Sequence, residues 1–454
     1  MAKRKRNYGH GRKRSGFPEP VQLWLLFFLP CFVLLVGSKG FSGISELKTR
    51  VFYACSAILA AIVLIRLVAA VCASKGRRRP APGGRRLNPA QIAALCYLGF
   101  TLLSAALSPY KDAWYSSKDH GNMLSEACYL LVFFAVSCRA KPDKSLKYVF
   151  LGTAGVYCLI IAVQLLGGNP LGLYPNGYTY RSLYRLRASY HFAATTGNAD
   201  LVSVVLCTVV SLCLGITLSE RGRRRIFPAA LAALSLAELL LIDVLCGVVG
   251  LFLGLLVSAF VLARVKPRVR VWALAAAAFL GLGFLGFLWY VPTPIPLFRE
   301  IHSILHGKIS DSFGSGRVEI WRKMLARLDR RQLLFGCGPD TVRLTALEPF
   351  RTYDETGKLL RQAAITDAHC WPLQILYCQG VFTLLSFAAT VVLALRPWFR
   401  SKGRTAAVEI LGAALLCFLF AMLFCFTSVI IMPLFWTLLG LLTAAGANDK
   451  PDQA

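Results

Sequence analysis

Apolar runs close to twenty residues long constrain this chain more than any other feature. They include Val21–Val36, Val51–Ala73, Val271–Tyr290 and Ala406–Phe424. A helix needs about 20 apolar residues to cross roughly 30 Å of hydrocarbon. Lipid offers backbone polar groups no partner, so a spanning segment must pair them internally, and long runs without strand alternation select helices over a barrel. Composition agrees: 56% of the residues are hydrophobic and 16% charged, where a soluble domain carries about 25% charged. The expected fold is an all-α polytopic membrane protein.

About twelve spans are expected, near 21–37, 51–73, 90–107, 123–138, 148–167, 199–218, 226–242, 245–263, 271–290, 371–395, 405–424 and 428–446. They divide the chain into a basic N-terminus (1–20), nine helices (21–290), a large polar loop (291–370), three further helices (371–446) and a tail (447–454). Of the 51 lysines and arginines, 30 fall in alternate segments on one side and 20 on the other, 12 of these in the large loop, with Arg66 inside a span. Short basic loops face the cytoplasm, whereas long loops cross largely regardless of charge. Both termini are therefore expected in the cytoplasm of a multi-pass protein of the cytoplasmic membrane, with loop 291–370 outside. The net charge of +29 then reads first as a topology signal, second as contact with anionic lipid, and nucleic acid is not an expected partner. The first apolar run lacks a small-residue cleavage site, since Ser38-Lys39-Gly40-Phe41 follows, and reads as a retained helix.

Most of the 15 cysteines lie in or beside apolar runs, where a thiol behaves as a small hydrophobe. Cys337 and Cys370 lie in or at the edge of the large loop and leave one disulfide reading open. No CxxC pair occurs, so zinc and thioredoxin-like readings lack support; the absence of a P-loop, a HExxH helix or an Asp-x-Asp pair is consistent with a site that uses neither metal nor nucleotide.

The outer loop opens on Pro292, Pro294 and Pro296, which end the preceding helix. From Arg317 to Leu328 an amphipathic helix is expected, with Val318, Trp321, Leu325 and Leu328 on one stripe. It suits either the membrane interface or a small core belonging to the loop. A hydrophobic run then breaks at Gly336-Cys337-Gly338-Pro339. The loop closes on Thr366-Asp367-Ala368-His369-Cys370-Trp371-Pro372. Pro372 suits a first helical turn, and Thr366 or Asp367 is the expected N-cap. His369 would then sit at a helix N-terminus, where the dipole keeps an imidazole neutral and able to accept a proton; an interfacial histidine without a role is the competing reading. Ionisable residues inside spans are functional hypotheses by default. Glu238 and Asp243 mark span seven, and Asp243 is expected to line the outer cavity. Arg66 and Glu126 are expected to snorkel toward the interfaces.

The order of these pieces resembles the O-antigen ligase and O-antigen polymerase superfamily over about 195–390. Gly197-Asn198-Ala199-Asp200 is similar to the family's Gly-Asn-x-Asn segment, with Asp200 for the second asparagine. Gly250-Leu251-Phe252-Leu253-Gly254 resembles its Ser-Arg-Gly-Ala-Trp-Leu-Gly stretch from the glycine onward, with Val249 where the family has arginine. Arg317-Val318-Glu319-Ile320-Trp321 matches an Arg-x-x-x-Trp helix, followed by the Gly-x-Gly turn at 336–338. His369-Cys370-Trp371-Pro372-Leu373-Gln374 resembles the His-Asn-x-x-Leu-Gln motif, with Cys370 for the asparagine. Leu107-Ser108-Pro109 adds a weaker match.

The resemblance implies a glycosyltransferase that moves a glycan from a polyprenyl diphosphate to an acceptor hydroxyl during cell-surface polysaccharide assembly. The implied partners are a carrier-linked glycan donor, a glycan or lipid acceptor, and membrane lipids. Arg317 would grip the diphosphate and His369 would take the acceptor proton. Arg181, Arg185 and Arg187 are candidates to replace the cation absent at Val249, and Asn198, Asp243 and Trp321 complete the implied substrate side. Two other readings stay open: a transporter or flippase of a lipid-linked or small solute, which predicts broken helices with midplane polar sites, and a family member altered in catalysis.

Overall fold

The computed structural model describes residues 19–75, 87–116, 121–169, 171–174, 192–242, 244–262, isolated positions from 272 to 283, 285–291, 296–309, 313–353, 359–400 and 404–448. The helices are α1 (Pro20–Leu34), α2 (Ile44–Lys75), α3 (Pro89–Leu107), α4 (Met123–Arg139), α5 (Lys144–Leu165), α6 (Ala199–Ser219), α7 (Ile226–Leu241) and α8 (Leu245–Leu262). After them come the large-loop helices α9 (Pro296–Leu305), α10 (Phe313–Arg327) and α11 (Arg330–Phe335). The strands β1 (Phe350–Tyr353) and β2 (Leu359–Ala363) follow, then α12 (Trp371–Gln379), α13 (Val381–Phe399), α14 (Ala406–Ala421) and α15 (Met432–Asn448). Six of these helices are long and apolar enough to cross a membrane, and three shorter ones are apolar. The chain is a multi-pass membrane protein; much of the ninth expected span lies outside the described residues.

Local chemistry sets many of the ends. Asn88 and Gln91 form a reciprocal capping box on α3, and Asn122, Asp143 and Thr405 cap α4, α5 and α14. The helices differ in what surrounds them. In α6, 78% of the apolar window is buried inside the protein, against 11% in α2, so α6 is central and α2 faces lipid. Around α6 pack α7, α8 and α14. The match at Gly250 and Gly254 is a packing device. A methyl on Gly250 would strike Ala421, and one on Gly254 would strike Cys417, both on α14, while Gly247 abuts the backbone of Ser203 on α6. Small residues let helix backbones approach closely where lipid supplies no hydrophobic drive.

Polar contacts sort the two ends of the bundle. The Lys147 ammonium pairs with Glu220, Arg404 donates to the carbonyls of Trp398 (3.0 Å) and Val261 (3.3 Å), and Gln91 donates to Ser137 at 2.9 Å. The described parts of the basic segments 139–147, 219–225 and 396–404 share one end, where Lys144, Glu220 and Ala406 line one cavity, and the large loop packs at the other, where Arg331 donates to the Leu107 carbonyl of α3 at 2.8 Å. Arg66, expected to snorkel, pairs with Glu19 at 2.5 Å.

Three expectations are refined here. The all-α reading misses an antiparallel hairpin, β1 with β2, in which Phe350 faces Ala363. The amphipathic helix of the loop belongs to the loop's own core: Ile320 and Met324 are buried with Val342, Ile365, Ala368 and Tyr377. Trp321 and Leu328 of the expected stripe pack against this core, whereas Leu325 is 52% exposed, so the buried face is shifted toward Ile320 and Met324. The tenth expected span, 371–395, is two helices broken at Gly380. Gly380 (φ 85°) and Gly336 (φ 72°) both take left-handed backbone, and each presses on the other's turn, so that a methyl on Gly380 would collide with the Leu334 carbonyl and one on Gly336 with that of Cys378. Gly338 N–H and the Ser104 hydroxyl both donate to that Cys378 carbonyl, at 2.7 and 3.0 Å. Helices interrupted at membrane depth are held by such neighbours.

The Gly380→Ala variant should lose about 2–5 kcal/mol from left-handed strain and overpacking, read as a fall in the thermal unfolding midpoint in detergent. Gly99→Ala, on α3 with nothing within 4 Å of the new methyl, is the matched control and should not fall.

Candidate functional site

The site forms where α6, α10 and the turn before α12 meet, at the end of the bundle that carries the large loop. Its floor is the N-terminus of α6. Asn198 is the N-cap, its side-chain oxygen accepting from Asp200 N–H (2.8 Å) and Leu201 N–H (3.3 Å), so that this oxygen satisfies the helix end. The cap leaves Asp200 in the first turn with its carboxylate facing the loop.

Arg317, in the first turns of α10, reaches down to it. Its Nη1 donates to the Gly314 carbonyl at 2.7 Å, and Nη2 lies 3.8 Å from Asp200 Oδ2. Its Nε is buried with no partner among the described residues. A guanidinium carries five donors, and one left unmatched in a buried position calls for an acceptor. Trp321, one turn further on, donates its indole N–H to the Ala368 carbonyl at 2.8 Å. It thereby ties the loop helix to the residue before His369.

His369 has φ 48°, a left-handed conformation that histidine tolerates better than most residues. An Asp367 turn holds it there, with the His369 N–H donating to Asp367 Oδ1 at 2.7 Å. Asp367 was an expected N-cap of the next helix, but that N-cap is Cys370, without a side-chain bond; the carboxylate closes the turn before the helix instead. Both neighbours of His369 Nδ1 are acceptors, the Asp367 carbonyl at 3.4 Å and Oδ1 at 3.9 Å. The imidazole is therefore assigned with its proton on Nδ1 and its lone pair on Nε2. Burial pushes the pKa of His369 below its usual value, and the Arg317 guanidinium pushes the same way, while Asp200 pulls upward. Burial and the guanidinium both favour the neutral ring. Asp367 moves oppositely: burial lifts its carboxyl to about 7, opposed by the His369 backbone N–H and helped by the Asp340 carboxylate.

Of the residues singled out by sequence, Arg317, Trp321, Asn198 and His369 gather at this place. Arg181, Arg185, Arg187 and Asp243 lie outside the described residues. Val249 is half-buried on α8. Cys337 and Cys370 are both free thiols, and Cys337 accepts from the Thr341 hydroxyl at 3.2 Å. Glu238 is buried within the bundle beside the Cys158 thiol. Sequence reasoning gave Asp200 and Asp367 no role at the site; the acid two residues before His369 and the acid two residues after an N-cap asparagine were the available signals. It also misread Glu126, which accepts from the Tyr97 hydroxyl at 2.8 Å and lines a small inner pocket with Asp340, Gln374 and Thr427. Among the described residues, no three His, Cys, Asp or Glu side chains converge as metal ligands would.

Residues 230–388 match the protein family described as O-antigen ligase. Over that stretch, about a third of the chain, the sequence is similar to the O-antigen ligase superfamily. The match takes in Arg317 and His369 and leaves Asn198 and Asp200 outside. No curated protein matches the chain.

Proposed function

We propose that this O-antigen-ligase-related membrane protein is a glycosyltransferase acting at the outer face of the cytoplasmic membrane, moving a glycan from a polyprenyl diphosphate to an acceptor hydroxyl. The observation that carries the reading is the meeting of Arg317 and a neutral His369, from distant parts of the chain, over the acidic N-terminus of α6. Nε2 of His369 takes the acceptor proton as the new C–O bond forms at the anomeric carbon. The bond from that carbon to the diphosphate breaks, and the polyprenyl diphosphate leaves with its charge held by the Arg317 fork. Asp200 holds the guanidinium in place and stabilises the imidazolium once formed. Asp367 is a positioning residue, setting the tautomer and the turn.

The reading is tested with the purified chain in proteoliposomes, given a carrier-linked oligosaccharide and an acceptor. Transfer without metal or nucleotide supports it, and accumulation of unconsumed donor with the folded wild-type chain defeats it. Val249 favours one alternative, a relative that keeps the fold without catalysis, and the same assay separates the two.

A pH profile carries a further expectation. The base must be unprotonated, so the rate should climb with rising pH through a midpoint below 6.5, because His369 is shifted down from that value. As pH passes about 7, Asp367 loses its proton and its anion strengthens the base, adding a second, smaller rise. Asp367→Asn keeps an acceptor for the His369 N–H and cannot titrate; it should retain the first limb and lose the second.

A further inference from the structure

We propose that the apolar cavity among α1, α5, α6, α14 and α15 holds one acyl chain of an anionic phospholipid of the cytoplasmic leaflet, its headgroup resting against Lys144 and Arg224. The cavity has a volume of about 320 Å³, and its walls include Leu29, Phe150, Val209, Leu411, Phe418 and Leu438. It rises along α5 from Lys144 to Tyr157, about 20 Å at 1.5 Å per residue. That is close to the depth of one leaflet, about 15 Å of hydrocarbon, plus a headgroup.

Water is a poor occupant. Thr153 and Thr208 turn their hydroxyls onto carbonyls of their own helices at 2.8 Å, and of the three threonines in the lining only Thr437 has a hydroxyl without a partner among the described residues. A buried water needs two to four polar partners, and a cavity that stays empty forfeits the dispersion contacts of its lining. Hydrocarbon meets both conditions.

The mouth selects the headgroup. Pro142, Asp143, Lys144, Lys147, Ser219 and Glu220 line it, within segments 139–147 and 219–225, which together carry eight lysines and arginines against Asp143 and Glu220. Asp143 is engaged as the cap of α5, and Glu220 pairs with Lys147. Lys147, Arg224 and Lys144 all act on Glu220, whose carboxyl the hydrogen bond from Lys147 holds below the usual range. The remaining positive charge faces the side on which cytoplasmic anionic lipid is found. This end lies opposite Arg317 and His369, so the inference does not depend on transfer activity.

The test reconstitutes the full chain in phosphatidylcholine vesicles with one of three photoactivatable probes. These are phosphatidylglycerol with a diazirine at the acyl end, phosphatidylcholine with the same chain, and an isoprenoid phosphate. Cross-linked peptides are then mapped by mass spectrometry. Phosphatidylglycerol should label α5 and α6 around Phe150 and Val209 several-fold more than phosphatidylcholine does. The surface pair Lys144→Gln and Arg224→Gln, which leaves the Lys147–Glu220 pair intact, should bring the two to equal labelling. Ala154→Phe, which fills the cavity, should abolish both. Equal labelling of the wild type by both phospholipids overturns the headgroup assignment. Labelling by the isoprenoid probe in place of phosphatidylglycerol assigns the cavity to the glycan carrier and overturns the proposal, as does wild-type protein that no phospholipid labels there.

Discussion

Replacing His369 with asparagine is expected to lower glycan transfer about 10²–10⁴-fold, the usual worth of a positioned general base. Asparagine is the informative choice because it also tolerates the left-handed backbone at this position (φ 48°). Its amide has no basic lone pair to take a proton, so the loss would report chemistry rather than a broken turn. The His369 N–H bond to Asp367 and the Trp321 bond to the Ala368 carbonyl are made by groups the substitution leaves alone. The thermal unfolding midpoint should therefore stay within a degree or two of wild type, a backbone-compatible change being close to neutral. In cells, surface glycan should fall and carrier-linked intermediate accumulate. Wild-type transfer by a folded His369→Asn protein would remove the general-base role.

The second large effect is expected at Arg317. Arg317→Lys keeps one positive charge near Asp200 but loses the planar fork that can hold two phosphate oxygens at once. The expected cost is about 10²–10³ in kcat, comparable to removing one donor that acts on developing charge. If the guanidinium acts mainly as the leaving group departs, kcat falls and the donor KM changes little; a rise in KM alone would assign it to ground-state binding. Arg317 and His369 serve one event, so the double variant should cost much less than the product of the two single losses. Unchanged transfer in both single variants would sink the enzyme reading.

Much of this arrangement was legible before any fold was known. Apolar runs such as Val51–Ala73 had to become helices, because a backbone in lipid has no other partner than itself. Short motifs survived as places: Arg317 and His369 meet at the large-loop end, and Gly250 and Gly254 lie against α14. What sequence periodicity handled badly were faces and breaks. The loop helix buries Ile320 and Met324 rather than Val318 and Leu325, because the loop's own core, and not an interface, chose its side. Gln379-Gly380-Val381 reads as the middle of one apolar run, yet two glycine turns interlock there across more than forty residues of chain. The hairpin from Phe350 to Ala363 is short and polar and leaves little periodic trace.

The division has a physical reason. Burial in lipid acts on each segment separately, so composition along a run of about twenty residues is enough to specify a spanning helix, and the charges flanking it are enough to predict its direction. A site depends on distances between segments remote in sequence, which no local pattern encodes. Only the tertiary structure brought Asp200 to 3.8 Å from Arg317, set His369 in a turn closed by Asp367 rather than on a helix cap, and turned Glu126 inward to Tyr97 instead of out to the interface.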